Sequence, residues 1–125
     1  MIVKQIRLSQ RAKDRLSRLK AKTGIKNWNV LSRWAFCYSL SEGTIPTDID
    51  IEADSNVEMD WHTFGGEYSD VFELVTIQWC IENNIEPTSE NVTKYFKLHL
   101  ERGIGYLSGT NFIKEIDDLL NLSKG

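Results

Sequence analysis

Between residues 30 and 40, Val30, Leu31, Trp34, Ala35, Phe36, Cys37, Tyr38 and Leu40 leave almost no polar face on a helix. A helix that is apolar around most of its circumference has to be covered on several sides, more than one small partner helix can manage. The spacing predicts a helix capped by Asn27 or Asn29, running to about Leu40 and placed in a subunit interface. The rest of the 125-residue chain must be arranged around it, and with 41% hydrophobic residues it fits a single domain with one core.

The preceding segment is of a different kind. Residues 2–8 alternate in the manner of a strand, with Ile2, Ile6 and Leu8 on one face and Val3, Gln5 and Arg7 on the other. Ser9 is placed to cap a helix over residues 10–23, and Gly24 to end it in the left-handed conformation. Ala12, Leu16, Leu19 and Thr23 form a narrow core stripe on that helix. Arg11, Arg15, Arg18 and Lys22 repeat the same spacing about a quarter-turn away, and Lys13 and Lys20 lie on the opposite flank.

Charge is sorted along the chain. The first 34 residues hold ten of the 15 Lys and Arg against one acid, Asp14, a net of +9; the remaining 91 hold five basic and 17 acidic residues, a net of −12. The overall −3 conceals both values. A dense positive patch suits a polyanion, most often nucleic acid, because neutralised phosphates release condensed counterions. Solvated helix faces usually mix signs, and this one scarcely does. The expected backbone contacts are Lys4, Gln5, Arg7, Arg11, Arg15, Arg18, Lys20, Lys22 and Lys26, with the N-terminal amides of the second helix as a further phosphate donor. The competing reading docks the acidic segment of residues 42–60 on the same stripe within an oligomer.

Residues 42–60 carry seven acids and Pro46, and read as a loop or arm. The run Trp61-His62-Thr63-Phe64-Gly65-Gly66-Glu67 follows, read as a packing corner or a docking surface. Helical periodicity then covers residues 67–83, 88–103 and 111–122. The organisation expected is a single domain, 1–125, made of a basic module (1–41), an acidic arm (42–66) and a helical extension (67–125). The fold class is mainly α, one short N-terminal strand plus about five helices.

No residue pattern calls for an enzyme. His62 and His99 have no metal-ligand spacing with Cys37 or Cys80, both of which read as buried free thiols in a reducing cytoplasm. Arg33, four residues before Cys37, is placed to lower its pKa. His99 reads as a hydrogen-bonded core or interface side chain. The glycines of residues 103–109 lack the strand and lysine of a phosphate loop, and read as a tight helix–helix connection. No stretch reaches the roughly 20 apolar residues of a membrane span, and the N-terminus lacks the apolar core of a signal peptide. The expectation is a cytoplasmic protein with no cofactor and no metal.

A strand, a Ser-capped basic helix, a Thr-Gly turn and an apolar helix together resemble a ribbon-helix-helix module of the Arc repressor type. An unpaired strand and an over-apolar helix are both resolved when two copies pair antiparallel across a two-fold axis. The ribbon would then present Gln5 and Arg7 outward.

Longer segments carry a more specific resemblance. Ile6-Arg7-Leu8-Ser9, Lys22-Thr23-Gly24, Trp28-Asn29-Val30-Leu31, Arg33-Trp34-Ala35-Phe36-Cys37, Trp61 through Glu67, and Gly103-Ile104-Gly105-Tyr106-Leu107 resemble the DndE family. That family is the small component of bacterial DNA phosphorothioation, in which sulfur replaces a non-bridging phosphate oxygen. The resemblance implies a non-enzymatic DNA-binding accessory protein with affinity for nicked duplex, and a homo-oligomer, a dimer or, in preference, a tetramer. It also implies partners within the sulfur modification system: a cysteine desulfurase, an iron-sulfur protein and an ATPase-like component. Two alternatives remain open on the residues alone: a sequence-specific ribbon-helix-helix repressor or antitoxin, and a sulfur carrier using Cys37 or Cys80.

Overall fold

The structure, a computed structural model, describes residues 5–109. In chain order it forms β1 (Gln5–Arg7), α1 (Gln10–Thr23), α2 (Trp28–Ser41), β2 (Glu58–Asp60), the short α3 (Trp61–Gly65), a 3-10 turn (Gly66–Tyr68), α4 (Ser69–Glu82) and α5 (Ser89–Leu107). The fold is mainly helical, with one two-stranded antiparallel sheet. The helix expected at residues 111–122 and the strand residues before Gln5 lie outside the described residues.

Local signals place the long helices. Ser9 Oγ accepts from the Ala12 amide at 3.1 Å, and Thr88 Oγ1 accepts from Asn91 at 3.1 Å, so both helices begin at side-chain caps. Gly24 closes α1 with φ 74°, its N–H donating to Lys20 O at 3.0 Å. Ala12, Leu16, Leu19 and Thr23 are all buried, as their spacing predicts. Asn27 occupies the cap position of α2 but makes no side-chain cap bond.

The strand finds its partner within the chain. β1 runs antiparallel to β2, with Gln5 opposite Asp60, Ile6 opposite Met59 and Arg7 opposite Glu58. The pairing extends through Leu8 N–H to Val57 O (3.1 Å) and Ser55 N–H to Leu8 O (3.2 Å). The second strand of the ribbon, expected from another copy, is thus supplied by the acidic arm, which is not wholly loop. Three residues in an acidic run give too short an alternation to be read as a strand, but Met59 and Ile6 both turn inward and share the core.

The apolar helix is also covered largely from within. The buried face of α2 (Leu31, Ser32, Ala35, Phe36, Ser39) packs on α5, with α3 and α1 alongside. Gly103 lies against the backbone of Ala35, so its missing side chain lets the two helices approach closely. Residues 103–107 of the glycine-rich stretch are therefore the end of α5, where a helix–helix connection was expected. The side of α2 lined by Val30, Arg33, Trp34, Cys37 and Leu40 forms one wall of a groove whose other wall is α4.

The Trp61–Glu67 run is the packing corner. Asp60 Oδ1 accepts from the Thr63 amide at 2.6 Å, a cap that starts α3 and holds the carboxyl below its ordinary pKa. That turn drives Trp61 and Phe64 into the core, stacked at 5.6 Å. Phe36 and Phe96, 4.9 Å apart, and Phe72 complete the aromatic cluster, Phe64 meeting both Phe96 and Phe72 at 5.1 Å.

A buried polar cluster joins α2 to α5. Arg102 Nε donates to Ser39 Oγ (2.9 Å) and its Nη2 to Ser39 O (2.9 Å), placing a cation at the carbonyl end of α2. Ser39 Oγ and His99 Nδ1 are 2.8 Å apart. The other ring nitrogen, Nε2, is buried. That atom has no hydrogen-bond partner among the described residues. Burial, and secondarily Arg102, lowers the His99 pKa to about 4.

The unfolded chain protonates this imidazole near pH 6.5, whereas the folded state resists it. The associated stability is therefore complete above pH 6.5 and is lost as pH falls toward 4. Between pH 7 and pH 5 the loss is expected to be about 2 kcal/mol. Urea denaturation of wild type and His99→Gln at both pH values checks it, and parallel losses in the two proteins would rule out the linkage.

Candidate nucleic-acid interface

The basic residues proposed from the sequence are not all in the same condition. Strand parity turns Gln5 and Arg7 outward while Ile6 is buried. Arg7 is tied across the sheet to Glu58. Along α1, Arg11, Arg18 and Lys22 are exposed, and Lys26 is exposed in the turn that follows. Lys4 lies outside the described residues.

The remaining cations are half-buried and engaged. Lys20 sits 4.1 Å above the ring of Trp28. Lys13 Nζ donates to Asn56 Oδ1 at 2.6 Å. Arg15 turns toward α5, where a side-chain carbon on Gly105 would meet its guanidinium at 2.9 Å.

The face divides at about the middle of α1. Beside its N-terminal half runs the acidic segment of the same chain. Asp54 Oδ1 accepts from the Gln10 amide (2.8 Å), and Asp50, Glu52 and Asp54 line a cleft of about 600 Å³ with Arg11 and Arg15. The acidic segment thus borders this half of α1 within the chain, with no ion pair to Arg11 or Arg15 among the described residues. The C-terminal half and the turn carry Arg18, Lys20, Lys22 and Lys26, and among the described residues none of the four pairs with a carboxylate. The second helix begins beside them at Asn27, whose uncapped first turn leaves amides available.

Two residues escaped the sequence reading. Glu101 on α5 accepts from Ser9 N–H (3.1 Å) and Ser9 Oγ (2.6 Å), fixing the positive end of α1 against α5. Arg102, the helix-end cation described above, also donates to Thr44 Oγ1 at 2.8 Å. Their only sequence signal is charge on a largely apolar helix, which does not name a partner.

Cys37 corrects an expectation: it is exposed, while Cys80 is buried. Desolvation raises the Cys37 pKa, and the opposing pull of Arg33 does not reverse this. A thiol so placed stays protonated and is a poor nucleophile. Among the described residues no three His, Cys, Asp or Glu side chains gather as a metal site, and no helix is long and apolar enough to cross a membrane.

The family model for the DNA sulphur modification protein DndE matches residues 5–115. The chain is similar to the crystal structure of DndE from Escherichia coli B7A, described as involved in DNA phosphorothioation modification. The two share 28% identity and a TM-score of 0.70 over 86% of this chain and 98% of that one. It is also similar to a crystal structure of a DndE mutant, with 25% identity and a TM-score of 0.61 over 83% of this chain and 95% of the other. No curated protein sequence matches it.

Proposed function

The chain belongs to the DndE family, which is involved in DNA phosphorothioation, and from that premise we propose that it is the non-enzymatic, DNA-binding accessory component of this modification. The observation that carries the reading is the group Arg18, Lys20, Lys22 and Lys26, none of which pairs with a carboxylate among the described residues, set on one helix and the turn after it. Clustered cations of this kind bind the phosphate backbone without reading base sequence. The duplex, nicked duplex included, lies along the C-terminal half of α1 and the α1–α2 turn, with the α2 amides facing a phosphate. Arg7, Arg11 and Arg15 are secondary contacts.

A homo-oligomer completes this reading. Tyr68, Val71, Leu74, Val75 and Ile81 are 40–62% exposed on or next to α4, beside the groove lined by Val30, Trp34 and Cys37. Exposed apolar area of this extent fits a contact between copies. In the assembly, several basic faces would engage one DNA molecule, with the acidic helices left to meet the other proteins of the system.

The test is a salt titration of binding to intact, nicked and single-stranded DNA of one arbitrary sequence. Arg18→Ala with Lys22→Ala is expected to lower the slope of log affinity against log salt by about two units. An unchanged slope and affinity would remove the assigned face. Selection of a palindromic consensus from randomised DNA would instead favour the repressor reading.

A further inference from the structure

The acidic segment between α2 and β2 is anchored at two ends and free between them. At one end Arg102 holds Thr44 through Oγ1 (2.8 Å) and O (3.0 Å), Pro46 is buried, and Lys94 pairs with Asp48 at 2.6 Å. At the other, Asp54 takes the Gln10 amide, and buried Ser55 donates from Oγ to Leu8 O at 2.7 Å. Among the described residues, 49–53 make no hydrogen bond, and Ile49, Asp50 and Glu52 are exposed. This unbonded span borders the cleft that Arg11 and Arg15 share with Asp50 and Glu52. No carboxylate lies within ion-pair distance of either arginine among the described residues.

We propose that residues 48–54 are an autoinhibitory strap, which screens Arg11 and Arg15 until a phosphate backbone displaces Asp50 and Glu52. The proposal rests on the DNA-binding reading above. Carboxylates across an open cleft from two guanidiniums lower the local positive potential while forming no bond that must be broken. Phosphates on the open half of α1 bring the next phosphates along the backbone to Arg11, where they replace the strap. The anchors on α5, at Leu8 and at the start of α1 keep the segment attached as the span between them moves away.

Asp50→Asn with Glu52→Gln removes the competing charge and leaves both anchors in place. At low salt this variant is expected to bind an arbitrary duplex about three- to tenfold more tightly than wild type. The control, Asp70→Asn with Glu82→Gln on α4, makes the same change in net charge away from the strap and is expected to leave affinity within about twofold. Equal tightening in both variants would mean a net-charge effect and overturn the proposal. So would wild-type binding that the strap variant leaves unchanged. If wild type and both variants all fail to bind, the DNA-binding reading itself fails, a result distinct from the others.

Discussion

Gly103→Ala is expected to destabilise the protein by about 3 kcal/mol, although alanine is the better helix former by about 1 kcal/mol. The new Cβ would lie 1.8 Å from the carbonyl oxygen of Ala35 and 2.4 Å from its carbonyl carbon. Such C···O contacts ordinarily lie at about 3.3–3.6 Å. Both atoms of the clash are backbone atoms of packed helices, so no rotamer change relieves it. α2 and α5 must separate by more than an ångström, which loosens the Phe36–Phe96 contact and the Ser39–His99–Arg102 cluster together.

Gly105→Ala is the internal control. Its Cβ would meet the far end of the Arg15 side chain, which can swing away, so its stability should stay within about 1 kcal/mol of wild type. Urea midpoints at unchanged m-value separate the two. A Gly103→Ala protein as stable as Gly105→Ala would mean that α2 and α5 do not meet at this crossing.

Phe64→Ala should cost about 4 kcal/mol, a large share of the 5–15 kcal/mol typical of a domain. Phe64 is fully buried and touches the rings of Phe36, Trp61, Phe72 and Phe96, so truncation opens a cavity that four aromatic side chains border. Phe64→Leu keeps most of the volume and should lose about 1 kcal/mol. Phe72→Ala, at a half-buried position on the rim, should fall between them. Denaturation of the three variants gives the order directly. A loss below about 1.5 kcal/mol for Phe64→Ala would mean that the short helix α3 rests on the surface and is not part of the core.

The two substitutions lie on opposite sides of what the chain discloses by itself. Ser9, Thr88 and Gly24 could be read as caps because a cap is completed within four residues. The stripe Ala12, Leu16, Leu19, Thr23 and the outward parity of Gln5 and Arg7 could be read for the same reason, since period 3.6 and period 2 are local properties. α3 could not: five residues are too few for a periodic signal, and Trp-His-Thr-Phe-Gly-Gly-Glu announces an unusual run without stating where its rings go. Gly103 was legible as a glycine that permits close approach, but Ala35 was not legible as the backbone it approaches.

The basic face shows the same division. That ten of the first 34 residues are basic, and that four of them share a helical stripe, follows from the sequence. Only the tertiary structure decided that Arg7 is held by Glu58, that Arg15 leans on Gly105, that Arg11 shares a cleft with Asp50 and Glu52, and that Arg18, Lys22 and Lys26 stay open. It also decided that β1 pairs with β2 of its own chain. Caps and periodicities are set by neighbours a few residues away, whereas the partner of a strand or a cation is chosen among remote segments. That choice depends on loop closure and on complementary shape and charge in three dimensions, neither of which leaves a pattern along the chain.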